Sequence, residues 1–362
     1  MSRVWDIPVQ DSTRVRDVRV AAEAACARTG LDADSTAGAA LVATELATNL
    51  VKHASGGRIV INLTGPCDTR AEGVPGVQIT SLDHGPGIGN VQAALQDGHT
   101  TASSSLGAGL GTCLRVSSDF DLHSRPGRGT VAVARIRPAR PPGAPSPGPA
   151  HFPTGARAGG IVTSLAYAEH SGDAFAWVRS GSTVTLLLAD GLGHGGKAAE
   201  ASTAAVEDAA VEELHRCAGL PPAELLRRLH TALRTTRGAA VGVAQLDEST
   251  GRLSFAGVGN IRARFRTEDV WRPLISHPGI VGAHFPATVP LQHSCWRPDS
   301  LLVLHSDALP SRWAPPHDLQ LLGHDPAVTA AVVLRDAGSA ARPLRDDTSV
   351  AVLAPEPPDG RP

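Results

Sequence analysis

The stretch PARPPGAPSPGPAHFPTGARAGG, from Pro138 to Gly160, constrains this chain more than any other feature. Proline and glycine at that density supply neither the apolar side chains nor the backbone hydrogen bonds of a core, so the stretch reads as a semi-extended linker. It divides the chain into an expected first domain at 1–137, a linker at 138–157, a second domain at 158–355 and a polar, Pro-rich tail at 356–362. A total of 362 residues suits two domains of ordinary size.

Hydrophobic residues make up 42% of the chain but aromatics only 3%, so Ala, Val and Leu must fill both cores. The 33 basic and 35 acidic residues nearly cancel, and bulk charge therefore points to neither nucleic acid nor an anionic membrane. Five scattered cysteines without a CxxC pair suggest neither a disulfide framework nor a structural zinc site. No apolar run approaches the ~20 residues that span a bilayer, and the amino terminus lacks the apolar core of a signal peptide. A cytoplasmic protein without a membrane partner is the expectation.

In the first half, apolar residues recur at helical spacing over Asp11–Thr29 and, more strongly, over Ser35–His53. RIVINL (58–63) and VQITSL (77–82) read as strands, a helix is expected near Leu110–Ser117, and FDLHS with TVAVARI forms a hairpin about the turn at 125–129. The second half reads as strands at 161–170, 174–180 and 183–190, helices over Gly196–Arg216 and Pro222–Arg237, and strands at 240–246, 252–258, 263–267, 300–306 and 349–355. Both halves are α+β: helices against an antiparallel sheet in the first, two sheets sandwiched between helices in the second.

Three segments of the first half could carry chemistry. VATELATNLVKHA sets Glu45 and Asn49 four residues apart, on one face of a helix, although a plain polar helix face reads the same way. DHGPGI puts Asp83 at the end of a strand, with Gly85 and Gly87 at the turn. LGAGLGT places Gly107, Gly109 and Gly111 where a helix opens, a natural anion site. In this order the segments resemble the N, G1 and G2 boxes of the GHKL (Bergerat) ATP-binding fold, and most closely the anti-sigma-factor serine kinases of the RsbT switch-kinase type. The resemblance implies that Asn49 holds Mg²⁺ and Asp83 accepts the adenine amino group. It further implies that Gly85 and Gly87 shape the adenine pocket, that Gly107, Gly109 and Gly111 cradle the phosphates, and that Glu45 is the general base toward a protein hydroxyl. Lys52 and His53 read as a solvated helix end.

The second half carries aspartates at strand ends: Asp173, Asp190, Asp307 and the pair Asp346–Asp347. One such residue is usually a turn Asp; several in one domain suit a hard divalent cation. The order GD, DGxGHG, SDA, DDT resembles the PPM metal-dependent phosphatases of the SpoIIE and RsbX type, an αββα sandwich. By that resemblance Asp190 bridges two Mn²⁺ or Mg²⁺ ions, the Gly191 carbonyl binds one, Asp307 and Asp346 complete a shell, and Asp173 is a nearby ligand. Two departures are Ala308 for the usual glycine after the third aspartate and Ser171-Gly172-Asp173 for GGD. His194 is a candidate acid or a turn residue, and AGVGNI (256–261) is expected to be structural. The two resemblances together imply a kinase and a phosphatase of opposite sense in a partner-switching pathway. Their substrates would be STAS-domain anti-anti-sigma or stressosome proteins, with a sigma factor as a further candidate partner. The rival readings are a first domain that binds ATP and sequesters a partner without transferring phosphate, and a nucleotide hydrolase, for which no dedicated motif is present.

Overall fold

The computed structural model describes residues 3–64, 75–96, 109–138, 155–165, 168–206, 220–310, 313–338, 344 and 346–357. Its contacts divide the chain into one compact unit over 4–146 and another built on 147–361.

The first unit is one antiparallel sheet with helices on it. β1 (Val4–Val9), β2 (Gly57–Thr64), β3 (Gly76–Leu82), β4 (Asp119–Arg125) and β5 (Gly129–Ile136) lie in the order β1-β2-β3-β5-β4. α1 (Arg14–Thr29) and α2 (Ala33–His53) pack on each other and on the sheet, joined by the short α3 (Val91–Ala94) and by α4 (Gly109–Val116). α2 begins where Asp32 accepts the Ser35 amide at 2.8 Å, a side-chain cap on an otherwise orphaned N–H. Its buried residues, Ala39, Val42, Ala43, Leu46, Ala47 and Leu50, fall at helical spacing, and they meet Ile59, Ile61 and Ile79 of the sheet in one core. Glu45 and Asn49 flank that buried stripe and are only half-buried.

The second unit stacks two five-stranded sheets. β7 (Asp173–Ser180), β8 (Thr183–Gly191), β9 (Ala239–Asp247), β10 (Arg252–Val258) and β13 (Gln292–Cys295) form one, in the order β13-β10-β9-β8-β7. β6 (Ala156–Thr163), β11 (Arg262–Thr267), β12 (Val270–Leu274), β14 (Leu301–His305) and β15 (Thr348–Pro355) form the other, in the order β12-β11-β14-β15-β6. The core between the sheets takes Leu186 and Leu188 from β8, Phe255 from β10, Phe265 from β11 and Leu302 and Leu304 from β14. Leu187 is equally buried but outside that cluster, as the two-residue period of a strand requires. α5 (Gly196–Val206) and α6 (Pro222–Ala232) cover the first sheet, and α7 (Pro326–Ala337) covers β6 and β15. The result is the expected αββα layering.

Several elements depart from the sequence reading. The strand expected at 161–170 begins at Ala156, inside the Pro/Gly-rich stretch, and ends at Thr163. β1, β12, β13 and α7 were not foreseen. The helix begun at Gly196 is described to Val206, and the second ends at Ala232 with a 3₁₀ turn over Leu233–Thr235. No helix among the described residues is long and apolar enough to cross a membrane.

Candidate functional sites

In the first unit, α2, the β3 end and the start of α4 enclose a cleft of about 300 Å³. Its lining is apolar at Leu46, Leu50, Ile88 and Leu122, with Asn49 and Asp83 as polar groups, a composition suited to a flat heterocycle. Asp83, almost wholly buried, is held by two backbone donors: its Oδ1 accepts the Gly85 amide at 2.7 Å and the Thr130 amide at 3.1 Å. The loop after it is braced by the β4–β5 hairpin, where the Gly127 amide donates to the Pro86 carbonyl at 2.7 Å and Ser124 accepts the Ile88 amide at 2.8 Å. At Gly87 φ is +73°, and a Cβ there would run into the Arg125 carbonyl, so glycine is required.

Glu45 and Asn49 converge on the first residue of α4. A Cβ on Gly109 would stand 2.7 Å from Glu45 Oε2 and 3.7 Å from both terminal atoms of Asn49. Burial, with the Glu45 charge adding to it, pushes the neighbouring Cys113 thiol up to about 12 and leaves it inert. Gly111 is buried within α4, and Gly107 lies outside the described residues. Lys52 and His53 are exposed, with His53 at the cleft rim.

In the second unit, the register pairs Asp173, the first residue of β7, with Asp190 near the end of β8. Asp173 is completely buried and accepts the Ser349 hydroxyl at 2.8 Å. Desolvation, reinforced by Asp190, holds its carboxyl well above the ordinary range. Asp190 is pushed up to about 7, first by burial and then by the charges of Asp307, Asp346 and Asp347. Five carboxylates from four strand ends therefore act on one another, with Asp173 behind Asp190 and with Asp307 and Asp346 exposed. Among the described residues no group of three or more His, Cys, Asp or Glu is gathered closely enough to hold a metal ion as it stands. Yet a set of hard oxygen donors whose charges oppose one another fits a hard divalent cation, which would relieve that repulsion. At Gly191 a Cβ would collide with the Ala198 carbonyl of α5, so glycine lets the helix close on the strand end.

The paired aspartates before β15 do different things. Asp347 is buried and accepts the Leu165 and Gly172 amides, both at 2.6 Å, tying β6 and β7 together. Asp346 is exposed and, among the described residues, its side chain caps the Asp347 amide alone, at 2.9 Å. Asn260, in the turn expected to be structural, donates to Asp307 Oδ2 at 2.8 Å and orients a candidate ligand. Only its position beside a glycine-rich turn could have flagged it. His194 is exposed, and the Asp347 carboxyl is raised above its ordinary value, chiefly by burial.

Comparison with known proteins matches each unit separately. Residues 9–135 match the family model of the histidine kinase-like ATPase domain, and residues 180–355 match that of stage II sporulation protein E. A stretch of 90 residues is 37% identical to the serine/threonine-protein kinase RsbT of Bacillus subtilis (strain 168), covering 25% of this chain and 63% of that kinase. Among solved structures, one from the bacterial stressosome is 25% identical, with a TM-score of 0.47, over 55% of this chain and 99% of its own. The SpoIIE phosphatase domain of Bacillus subtilis with a regulatory fragment is 15% identical, with a TM-score of 0.47, over 77% of this chain and 78% of its own.

Proposed function

We propose that this chain, which joins a histidine kinase-like ATPase domain to a SpoIIE-type phosphatase domain, is a partner-switching regulator whose two halves add and remove phosphate on a protein serine or threonine. One observation carries the reading: a single chain holds a carboxylate–amide pair aimed at a glycine-opened helix and, separately, a cluster of mutually repelling carboxylates at strand ends.

In the first half the cleft takes the adenine of ATP, with Asp83 fixed by two backbone amides as acceptor for its amino group. Asn49 would hold the Mg²⁺ that accompanies the nucleotide, the glycines at the start of α4 would accept its phosphates, and Glu45 would take the proton from the attacking hydroxyl. In the second half Asp190, Asp307, Asp346 and the Gly191 carbonyl hold Mn²⁺ or Mg²⁺, with Asp173 behind them. Such ions acidify water and neutralise phosphate charge. Asn260 fixes the orientation of Asp307, and Asp347 keeps β6 and β7 in place.

The similarity to RsbT supports STAS-domain anti-anti-sigma or stressosome proteins as substrates, with a sigma factor downstream and the cytoplasm as the compartment. The test is to incubate the full chain with γ-labelled ATP and a STAS-domain protein, then add Mn²⁺. Label gained and then lost is the expected result. ATP binding without label transfer would leave the first half as a sequestering module, and label that survives Mn²⁺ would remove the phosphatase.

A further inference from the structure

Arg237 stands just ahead of β9, and the β8–β9 register decides what it faces. Gly191 pairs with Ala239 and Asp190 with Ala240, so the same ladder, extended, sets Arg237 opposite Gly193. The extension is real: the Leu192 amide donates to the Gly238 carbonyl at 3.0 Å. Gly193 has φ of +91°, and a Cβ on it would lie 3.2 Å from Nη1 of Arg237. The guanidinium therefore lies over the loop that leaves Asp190 and Gly191. Arg237 is exposed and has no hydrogen bond or ion pair with the described residues.

A phosphate monoester dianion approaching these strand ends meets a strongly acidic surface. The Arg237 guanidinium, without a partner among the described residues, supplies the opposite charge beside them, with a planar fork that matches two phosphate oxygens. We propose that Arg237 is the substrate-binding residue that grips the phosphate group beside the carboxylate cluster. The proposal rests on the phosphatase reading and names the residue that recognises the group to be removed.

The test uses the full chain saturated with Mn²⁺, with inorganic phosphate and p-nitrophenyl phosphate as probes. Arg237→Ala should weaken calorimetric binding of inorganic phosphate, and raise KM for p-nitrophenyl phosphate, by roughly tenfold to a hundredfold, the range for a lost charge-assisted hydrogen bond. Mn²⁺ affinity and the melting temperature should stay at parental values, and Arg237→Lys should recover part of the loss. Unchanged phosphate affinity in Arg237→Ala would overturn the proposal. So would a parallel fall in Mn²⁺ affinity, which would mean that Arg237 acts through the metal loop. A parent that binds phosphate through Arg237 yet hydrolyses nothing would sustain this anion site and defeat the phosphatase reading instead.

Discussion

Protons and divalent cations should compete for Asp190, and the size of the effect follows from the carboxylate cluster. Its pKa rises from 3.8 to about 7, by burial and by Asp307, Asp346 and Asp347. At about 1.36 kcal/mol per unit, the shift favours the neutral carboxyl in the metal-free protein by at most roughly 4 kcal/mol. The folded-state pKa lies above the unfolded one, so this contribution to stability is full below about pH 3.8 and is lost as pH rises through about 7. The metal-free second unit should therefore melt at lower temperature at pH 8 than at pH 6. A cation needs the ionised form, so its affinity should run the other way, rising about fivefold from pH 6 to pH 7 and about tenfold from pH 6 to pH 8, where it levels off. Calorimetric titration with Mn²⁺ at pH 6, 7 and 8, paired with thermal melts with and without the ion, measures both slopes. Asp190→Asn should flatten the first slope and weaken Mn²⁺ binding throughout. A parental Mn²⁺ affinity that does not change between pH 6 and pH 8, or a metal-free melting temperature that climbs over that interval, would refute the reasoning.

Glu45→Ala should abolish phosphotransfer from labelled ATP while calorimetric ATP affinity holds, because Glu45 lies beside the start of α4 and outside the cleft lining. Asp346→Asn should lower Mn²⁺ affinity and spare the metal-free melting temperature. Asp347→Asn should do the reverse, since it removes an acceptor from one of two buried backbone amides; equal effects on both readouts would undo the division of roles. Glu248→Ala should cost about 3–5 kcal/mol in urea melts of the second unit, because it strips the Ala156 amide of its 2.7 Å acceptor and leaves Arg179 without its buried partner.

What the sequence determined by itself was whatever local periodicity and turn chemistry encode. The Glu45–Asn49 pairing needs nothing beyond the pitch of a helix whose buried stripe runs from Ala39 to Leu50. The aspartates at strand ends are legible in the same way, because a run such as TVTLLLAD ending in glycine can hardly be anything but a strand and its turn. Where a segment owes its form to distant neighbours, the signal disappears. β1 carries Asp6 and Pro8 and reads poorly as a strand, yet it is an edge strand, where the missing proline N–H is tolerated, and Asp6 is paired with Arg58 of β2. α7 is buried from Pro326 to Arg335, so it has no polar face to show a helical period. Gly159 sits in the Pro/Gly-rich stretch, yet it is the glycine of β6 over which α7 closes, with the Ala327 nitrogen 2.9 Å from where a Cβ would sit. The difference between Asp346 and Asp347, the bond from Asn260 to Asp307 and the place of Arg237 over the Gly193 loop all belong to tertiary structure. Each depends on strands far apart in sequence meeting at one end of the stacked sheets, and long-range pairing register, unlike helical pitch, is set only by how the whole core packs.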